Sequence, residues 1–371
     1  MDRSMTDIQT NGDPPIVAVP PAEGYPKQWF CVAVAPDGSI FKGDSESPTQ
    51  FVEIVGRSVI AWIDYWTDNY DRDTPVAAAK FGFTHALASS LTVESRTTYQ
   101  DFDTEMGMRL PSVQVREFHV EPYPLLILMR RTFILTIHPL NVDRRFHRMR
   151  RYADTFIRKI RLGDPDEDRL TLLLLRLIDE TNSRNFEHLR QVEELGESLN
   201  KDMTDPNTPR LELGPKIYDM KHALITYLDA LWETNDVLHA LRYGDAELIT
   251  DNPKLLYRLT LLSEDVNRQI GLAEHLSEVL ASGLEVLQSI YNNQLQIMNN
   301  RMALIMTYLT VLGTAVLVPN TLATIFGSSA FNLQSNDIGW YVTMLVASTV
   351  LATGLAYWWV RRSGLLPRKV E

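Results

Sequence analysis

The hydrophobic pattern of this chain changes sharply in its last quarter. The 59 residues from Met302 to Val360 contain a single charged side chain, Asp337. On either side of that aspartate lie uncharged stretches of 25 residues, 302–326, and 23 residues, 338–360. Roughly 20 apolar residues are enough for a helix to cross the hydrocarbon core of a bilayer. The pattern therefore predicts two transmembrane helices, with an external loop at 327–337 between them.

Basic residues at the ends of these spans predict their orientation. One precedes the first span, at Arg301, and four follow the second span: Arg361, Arg362, Arg368 and Lys369. Because basic residues stay on the cytoplasmic side, we expect a protein of the cell membrane with both termini in the cytoplasm. Residues 361–371 would form a basic cytoplasmic tail. The polar first 28 residues are expected to be a disordered tail.

The region before the spans begins with strand signals. Segments rich in β-branched and aromatic residues are Trp29–Ala35, Val59–Trp66, Val113–Val120, Leu125–Met129 and Thr132–His138. Helical spacing appears between them over 74–91. We therefore predict a cytosolic α/β domain at 29–140.

Helical periods replace the strand signals after Pro139. They predict a helical region over 141–252, with helices at Arg144–Ile160, Asp166–Asn200 and Pro215–Tyr243. A longer run begins at Pro253, and no strong helix breaker follows before Pro319. It predicts a stalk helix over 253–301 that continues into the first span, on the order of 100 Å in all.

Apolar residues recur every three or four positions along the first half of this stalk. They are Leu255, Leu259, Leu262, Val266, Ile270, Ala273, Leu276, Leu280, Leu284 and Leu287. Such spacing is typical of a seam between helices of different copies of a chain. An ordinary helical bundle within one chain produces the same pattern, and the sequence leaves both interpretations open.

A polar stripe continues this helix into the membrane. Amides and hydroxyls recur every seven residues at Asn293, Asn300, Thr307, Thr314 and Thr321, with Gln296, Thr310 and Thr324 beside them. Polar groups are unfavourable on a surface that faces lipid, whereas several copies of the helix around an axis would line a pore with oxygen atoms. The alternative is that each threonine bonds back to its own helix and packs as a small residue.

Short motifs follow one another in a distinctive order along the chain. In the first span they are Asn299-Asn300-Arg301-Met302, Met306, Leu309-Thr310-Val311, Pro319 and Gly327. Upstream they are Trp62-Ile63-Asp64, Lys80-Phe81-Gly82 and the run from Phe133 to Pro139. This order resembles the CorA family of divalent-cation channels, and the similarity extends from about Trp29 to Lys369.

The resemblance implies a funnel-shaped homopentamer with an α/β cytosolic domain, a long helical stalk and two C-terminal transmembrane helices. Five first helices would surround the pore and five second helices would lie outside them in the lipid bilayer. Divalent cations would flow passively, with Mg²⁺ first and Co²⁺, Ni²⁺ or Zn²⁺ as further candidates. Closure would follow from cations bound between cytosolic domains, and no organic cofactor is implied.

The chain departs from the family at the outer mouth of the pore. The family signature there is Gly-Met-Asn, and this sequence has Gly327-Ser328-Ser329, followed by Asn332 three residues later. The family asparagine holds a hydrated ion, and the hydroxyl of a serine reaches less far. These four residues are the predicted pore mouth. The departure leaves a second hypothesis open: a non-conducting, membrane-anchored oligomer with a scaffold or interaction role.

Two alignments assign different faces of the first span to the pore. A gapless match through Gly327 selects Met306, Leu309, Gly313, Leu317, Asn320 and Thr324. Anchoring on Pro319 selects Thr307, Thr310, Thr314, Val318 and Thr321. The predicted pore lining combines them as Asn300, Met306, Thr307, Thr310, Gly313, Thr314, Leu317, Asn320, Thr321 and Thr324.

Composition narrows the remaining chemistry. A net charge of −11 makes nucleic acid an improbable partner and suits divalent cations. The one cysteine, Cys31, agrees with a reducing compartment. Candidate ligands for a regulatory cation are Asp64, Asp68, Glu278 and Glu285, although a solvated acidic surface is the more ordinary explanation of such residues. No spacing typical of zinc, nucleotide or nucleophile motifs appears, so we predict no enzymatic activity.

Overall fold

The computed structural model describes residues 27–92, 97–205, 208–244, 246–328 and 338–362. The chain divides into two compact units, Met1–Leu280 and Ala281–Glu371. Most of the predicted N-terminal tail, the external loop and the basic tail lie outside the described residues.

The first unit begins with a seven-stranded mixed sheet. Its strands are β1 (Trp29–Val34), β2 (Ile40–Ser45), β3 (Ile60–Thr67), β4 (Tyr99–Asp101), β5 (Glu105–Arg116), β6 (His119–Arg130) and β7 (Phe133–Pro139). They lie in the order β2-β1-β3-β7-β6-β5-β4. Only β3 and β7 pair in parallel among these neighbours. The helices in this part are α1 (Thr49–Arg57), α2 (Tyr70–Lys80) and α3 (His85–Ser90).

Six further helices follow the sheet, after a short 3₁₀ turn at Leu140–Val142. They are α4 (Asp143–Arg151), α5 (Ala153–Ile157), α6 (Asp166–Thr204), α7 (Arg210–Tyr243), α8 (Pro253–Phe326) and α9 (Ile338–Arg362). Helix α8 is a single helix of 74 residues that contributes to both units. The predicted continuity of the stalk with the first span is therefore present in the structure, and Pro319 does not end the helix.

Alternating residues of the sheet enter two separate cores, as the pleat of a strand requires. On β1, Trp29 and Cys31 face a core formed with α1, α2 and α3. Phe30 and Val32 face the opposite core, which includes residues of α4 to α8. Because this second core joins Ile134 of the sheet to helical residues, the predicted boundary at residue 140 separates strand from helix but not one core from another.

The predicted strand Val113–Val120 is wrong. The chain turns back between β5 and β6, and Glu117 adopts a left-handed conformation with φ of 55°. Left-handed turns usually carry glycine or asparagine, so the sequence gives no warning of this one. The predicted helix over 74–91 is broken in two by Gly82, whose φ is 82°.

The burial of side chains on α8 shows whether the first part of the proposed seam packs within one chain or between copies. Seven of its apolar positions are buried within their own chain: Leu255, Leu259, Leu262, Val266, Ile270, Ala273 and Leu280. Polar side chains add contacts to neighbouring helices, including those from Gln269 Nε2 to Asn182 Oδ1 and from Ser263 Oγ to Asn235 Oδ1, both at 3.0 Å. The intrachain interpretation is thus confirmed as far as Leu280. Beyond it, Leu284 is 45% exposed.

Two leucines of this seam give the first test. Leu259 is fully buried in its own subunit, so Leu259→Ala should leave a cavity and lower the free energy of unfolding by about 2–5 kcal/mol. Leu284→Ala, the same change at an exposed position, should leave the fold nearly unaffected. Thermal unfolding of the full-length protein in detergent measures both. Equal losses would contradict the assignment of the seam up to Leu280 to the intrachain core.

Candidate functional site

The second unit consists of the later part of α8 and helix α9, both long and apolar enough to cross a membrane. Almost all residues of their most apolar stretches are exposed or half-buried. Large apolar side chains such as Leu312, Val316 and Val350 are between 62% and 68% exposed. Lipid satisfies such a surface, whereas water does not.

Helix α9 packs against one face of α8. Near the turn between them, the rings of Phe326 and Trp340 meet edge to face with centroids 6.2 Å apart, and the Tyr341 hydroxyl donates to the Ala323 carbonyl at 3.3 Å. The shielded residues of α8 include Leu304, Val311, Ala315, Pro319 and Leu322. These positions define the α9-facing side of the helix.

Small residues of α9 form its shielded side. Ser348, Ala352 and Ala356 follow one another at intervals of four, and Ala352 is only 9% exposed. Small residues at this spacing let two membrane helices approach closely. This pattern was available in the sequence but was not used to predict which side of α8 the second helix covers.

The opposite side of α8 carries a mixture of apolar, small and polar groups. At about 100° per residue, Met306, Gly313 and Leu317 lie roughly half a turn from Val311 and Ala315. Met306 is 70% exposed and Leu317 is 65% exposed. A methyl group added at Gly313 would meet no atom within 4 Å. Asn320 and Thr324 belong to the same exposed side, together with Thr310 at its edge.

Each predicted threonine of α8 bonds to its own helix. Thr307, Thr310, Thr314, Thr321 and Thr324 donate their hydroxyl hydrogens to the carbonyl four residues earlier, at 2.6–2.9 Å. This is the geometry of the alternative interpretation of the stripe. A hydroxyl that donates its hydrogen in this way can still accept a hydrogen bond, because its oxygen keeps its lone pairs. The exposed hydroxyls are therefore acceptors toward whatever surrounds them.

The described part of the predicted pore mouth ends the helix. Gly327 donates its N–H to the Ala323 carbonyl at 2.9 Å, and Ser328 Oγ donates to the Ile325 carbonyl at 2.7 Å. A methyl group at Gly327 would come within 2.8 Å of the Ala323 oxygen, which explains glycine at this position. The other two residues of the predicted mouth, Ser329 and Asn332, lie outside the described residues.

The stalk residues of the prediction are all exposed: Asn300, Glu278 and Glu285. Within the part of the chain that the structure describes, no group of three or more acidic, histidine or cysteine side chains is close enough to hold a metal ion. The described residues of one chain therefore provide separate carboxylates but no complete cation site.

Asp64 is not part of an acidic surface, which corrects its grouping with Asp68. It is fully buried and accepts a hydrogen bond from Arg150 Nε at 2.6 Å and one from Thr136 Oγ1 at 2.5 Å, while Asp68 is exposed. His138 Nε2 lies 3.4 Å from the same carboxylate. The residues that neutralise Asp64 are distant in sequence, so the sequence analysis missed them.

The Arg150 side chain also reaches the start of the described chain. It donates to the carbonyl oxygens of Lys27, at 2.9 Å, and Gln28, at 3.3 Å. Burial by itself would raise the pKa of Asp64, but the charges of Arg150 and His138 and the hydrogen bonds outweigh it and lower that pKa to about 2. The cluster is a buried, neutralised ion pair with a structural role.

Together these features define a class: a membrane protein in which an α/β unit is followed by one long helix, whose later part is the first membrane helix, and by a second membrane helix. The particular family follows from its sequence model. The model described as CorA-like Mg²⁺ transporter protein matches residues 57–362, and the chain belongs to this family. The family consists of transporters, so the predictions of the family and of no enzymatic activity are confirmed. No curated protein sequence matches significantly.

Solved structures support the predicted fold. The complete CorA magnesium transporter of Methanocaldococcus jannaschii is similar with a TM-score of 0.64 and 19% identity, covering 91% of this chain and 98% of that one. The ZntB cytoplasmic domain of Vibrio parahaemolyticus has a TM-score of 0.53 and 14% identity, covering 71% and 98%. The full-length CmaX protein has a TM-score of 0.51 and 15% identity, covering 92% and 99%.

The Asp64 cluster gives the second test. Asp64→Asn leaves Arg150 buried without its counter-charge and should cost about 3–5 kcal/mol of stability at neutral pH. Because the folded pKa lies below the ordinary value of 3.8, the carboxylate stabilises the fold above that value and loses its effect as the pH falls toward 2. The gap between parent and variant should narrow over this interval.

Tryptophan fluorescence is suited to the measurement, since Trp62 Nε1 donates to Thr136 Oγ1 beside the pair. Asp68→Asn removes the same charge at an exposed position and serves as the control. If both variants unfolded at the parental midpoint, Asp64 would not be the structural residue described here.

Proposed function

We propose that this chain forms a homopentameric channel in the cell membrane, with both termini cytoplasmic, through which divalent cations pass down their electrochemical gradient. Mg²⁺ is the first candidate, and Co²⁺, Ni²⁺ and Zn²⁺ are the others. The observation that carries the proposal is the exposed polar and small-residue side of α8 opposite α9. A single subunit surrounded by lipid has no use for such a surface.

The position of α9 favours one of the two pore faces. If α9 lies outside the ring of α8 helices, the side of α8 opposite α9 faces the axis. Met306, Gly313, Leu317, Asn320 and Thr324 lie on that side, which agrees with the gapless match through Gly327. Thr310 belongs to it, Thr314 and Thr321 lie toward its edge, and Thr307 is half-buried near the α9-facing side. Asn300 remains the proposed polar residue at the cytosolic end.

The side chains on this face suit a cation that keeps its water. Mg²⁺ gives up water reluctantly, and coordinated water presents its hydrogens outward. Threonine oxygens whose hydrogens are used within the helix, and the amide oxygen of Asn320, can accept from that water. Rings of Met306 and Leu317 would form apolar constrictions that close by losing water. Neutral oxygens discriminate poorly among divalent ions, so the ion order must be measured.

The pore mouth and the gate complete the proposal. Ser328, Ser329 and Asn332 would contact the hydrated ion at the outer entrance in place of the Gly-Met-Asn signature. Glu278 and Glu285, which are exposed and two helical turns apart, would bind regulatory cations with a neighbouring subunit. Loss of those cations would loosen the assembly and open the pore. Asp64 is omitted because its carboxylate is already neutralised.

The altered signature favours a second candidate function. A sequence without Gly-Met-Asn could form the same oligomer without conducting ions, as a membrane-anchored scaffold. The two functions differ in a single measurable property, the passage of ions through the purified protein.

Ion flux in proteoliposomes is the third test. We expect divalent-cation uptake by the parent, compared among Mg²⁺, Co²⁺, Ni²⁺ and Zn²⁺, and at least roughly tenfold slower uptake by Asn320→Phe, since a large ring would fill a narrow axial pore. Thr314→Phe should also slow it, by less. Val350→Phe, on the exposed side of α9 and 68% exposed, is the matched control. No flux of any ion through a folded oligomer would favour the scaffold.

Cysteine accessibility is the fourth test, and it selects between the two faces. The native Cys31 is fully buried, and burial raises its pKa to about 12, so thiol reagents should not reach it. Cysteines at Leu317 and Thr324 should react with a charged, water-soluble thiol reagent and lose flux. Cysteine at Thr307 should do neither. The reverse order would favour the face anchored on Pro319.

A further inference from the structure

A cleft in the first unit belongs to neither the proposed pore nor the proposed gate. It has a volume of about 460 Å³ and lies between α5, α6 and α8. A smaller depression of about 120 Å³, between α4 and α6, shares three of its lining residues: Tyr152, Phe156 and Arg176. The two form one groove. Its size falls in the range of roughly 300–1,000 Å³ that is usual for small-molecule sites.

The floor of this groove is apolar and firmly supported. It includes Ile160, Leu173 and Leu262, all of which belong to the core of the unit. Phe156 is anchored from behind by Trp62, with ring centroids 5.7 Å apart. Tyr152 stands where the two depressions meet and is 55% exposed. An exposed aromatic ring above an apolar floor suits a flat, unsaturated ligand group.

The rim of the groove carries cationic side chains that form no ion pair among the described residues. Arg148, Lys159 and Arg258 are exposed and line it, and none forms an ion pair with a carboxylate of the described residues. The acidic groups on the rim do have partners. Asp265 pairs with Arg268 at 2.8 Å, while Asp179 and Glu180 share Arg176 at 3.5 and 3.4 Å.

We propose that this groove binds a nucleotide, that is, a phosphate ester that carries an aromatic base. Arginine and lysine side chains donate charged hydrogen bonds to phosphate oxygens, and Arg148, Lys159 and Arg258 line the groove that contains the Tyr152 ring. The base stacks on Tyr152 and lies over the apolar floor, and the phosphate meets Lys159 and Arg258. The groove is lined by four cationic side chains and three acidic ones, on a chain whose net charge is −11.

The phosphate and apolar groups of a membrane lipid share part of this chemistry. Two features favour the nucleotide. The groove offers a single exposed aromatic ring rather than a long apolar channel for acyl chains, and its cations flank that ring on the α5 and α8 sides. A lipid is therefore one arm of the test.

The test is calorimetric titration of the full-length protein in detergent, without divalent cations, so that binding through a bridging metal ion is excluded. The probes are AMP, ATP, inorganic phosphate and dioctanoyl phosphatidic acid. We expect saturable binding of AMP and ATP. Inorganic phosphate should bind at least roughly tenfold more weakly, equivalent to about 1.4 kcal/mol, because it lacks the base.

Neighbouring residues provide matched control variants. Lys159→Glu and Arg258→Glu should each weaken AMP binding by roughly tenfold or more, whereas Arg158→Glu makes the same charge change one residue outside the groove and should not. Tyr152→Ala should weaken AMP but not inorganic phosphate. Tyr257→Ala, at an exposed tyrosine beside Arg258, should change neither. All five positions are exposed, so the variants should fold.

Three outcomes would overturn the proposal. The first is the absence of saturable AMP or ATP binding at millimolar concentration, which includes the case in which another subunit covers the groove. The second is an equal loss in Arg158→Glu, which would indicate unspecific attraction. The third is phosphatidic acid binding that depends on Lys159 and Arg258 while AMP does not bind, which would make the ligand a lipid. None of these measurements depends on whether the protein conducts ions.

Discussion

Helix α8 imposes the main constraint on this protein because it must be stable in two different solvents. A helix satisfies its backbone hydrogen bonds internally, so one continuous helix can leave a protein core and enter hydrocarbon without exposing unpaired groups. The side chains must change where the surroundings change. Between Leu255 and Leu280, seven apolar residues are buried within their own subunit, whereas in the membrane span large apolar residues cover most of the surface. Helices of the first unit pack on the earlier part of α8, and helix α9 packs on its later part.

The sequence predicted the elements that have strong local signals and missed those that lack one. Strands β1, β3 and β7 were recognised because they are long runs of apolar residues. Strand β2 was missed, since its sequence Ile-Phe-Lys-Gly-Asp-Ser is polar and its burial is low. The turn at Glu117 was missed for want of a glycine. In each case the failure has a local physical cause.

The seam on α8 illustrates a limit of periodicity. A spacing of three and four residues states that one side of a helix is covered, and it does not state by which chain. Only the positions of α6 and α7 decide that the cover comes from the same subunit as far as Leu280. The pore face had the opposite difficulty: two adjacent sides of α8 satisfied the sequence pattern equally well. The small residues of α9 mark the side of α8 that is already covered, and this favours one of the two faces in the proposed channel.

The candidate site could be predicted as a region but not as a geometry. Threonine spacing located the polar stripe, while the hydroxyl bonds back to the helix became visible only in the structure. Asp64 was predicted as a possible cation ligand in an acidic segment. It is instead the buried ion-pair partner of Arg150, which lies 86 residues away in the sequence. A single sequence without structure cannot distinguish these two aspartate environments.

The contacts of Arg150 with the carbonyl oxygens of Lys27 and Gln28 also determine which residue types the fold tolerates at these two positions. A backbone carbonyl is present whatever the side chain, so positions 27 and 28 can vary widely in residue type while their presence remains necessary. A truncation that removed the chain up to and including residue 28 would take away two acceptors of the buried Arg150 guanidinium, which is also the partner of Asp64. At positions 27 and 28 Arg150 requires a backbone carbonyl rather than a particular side chain.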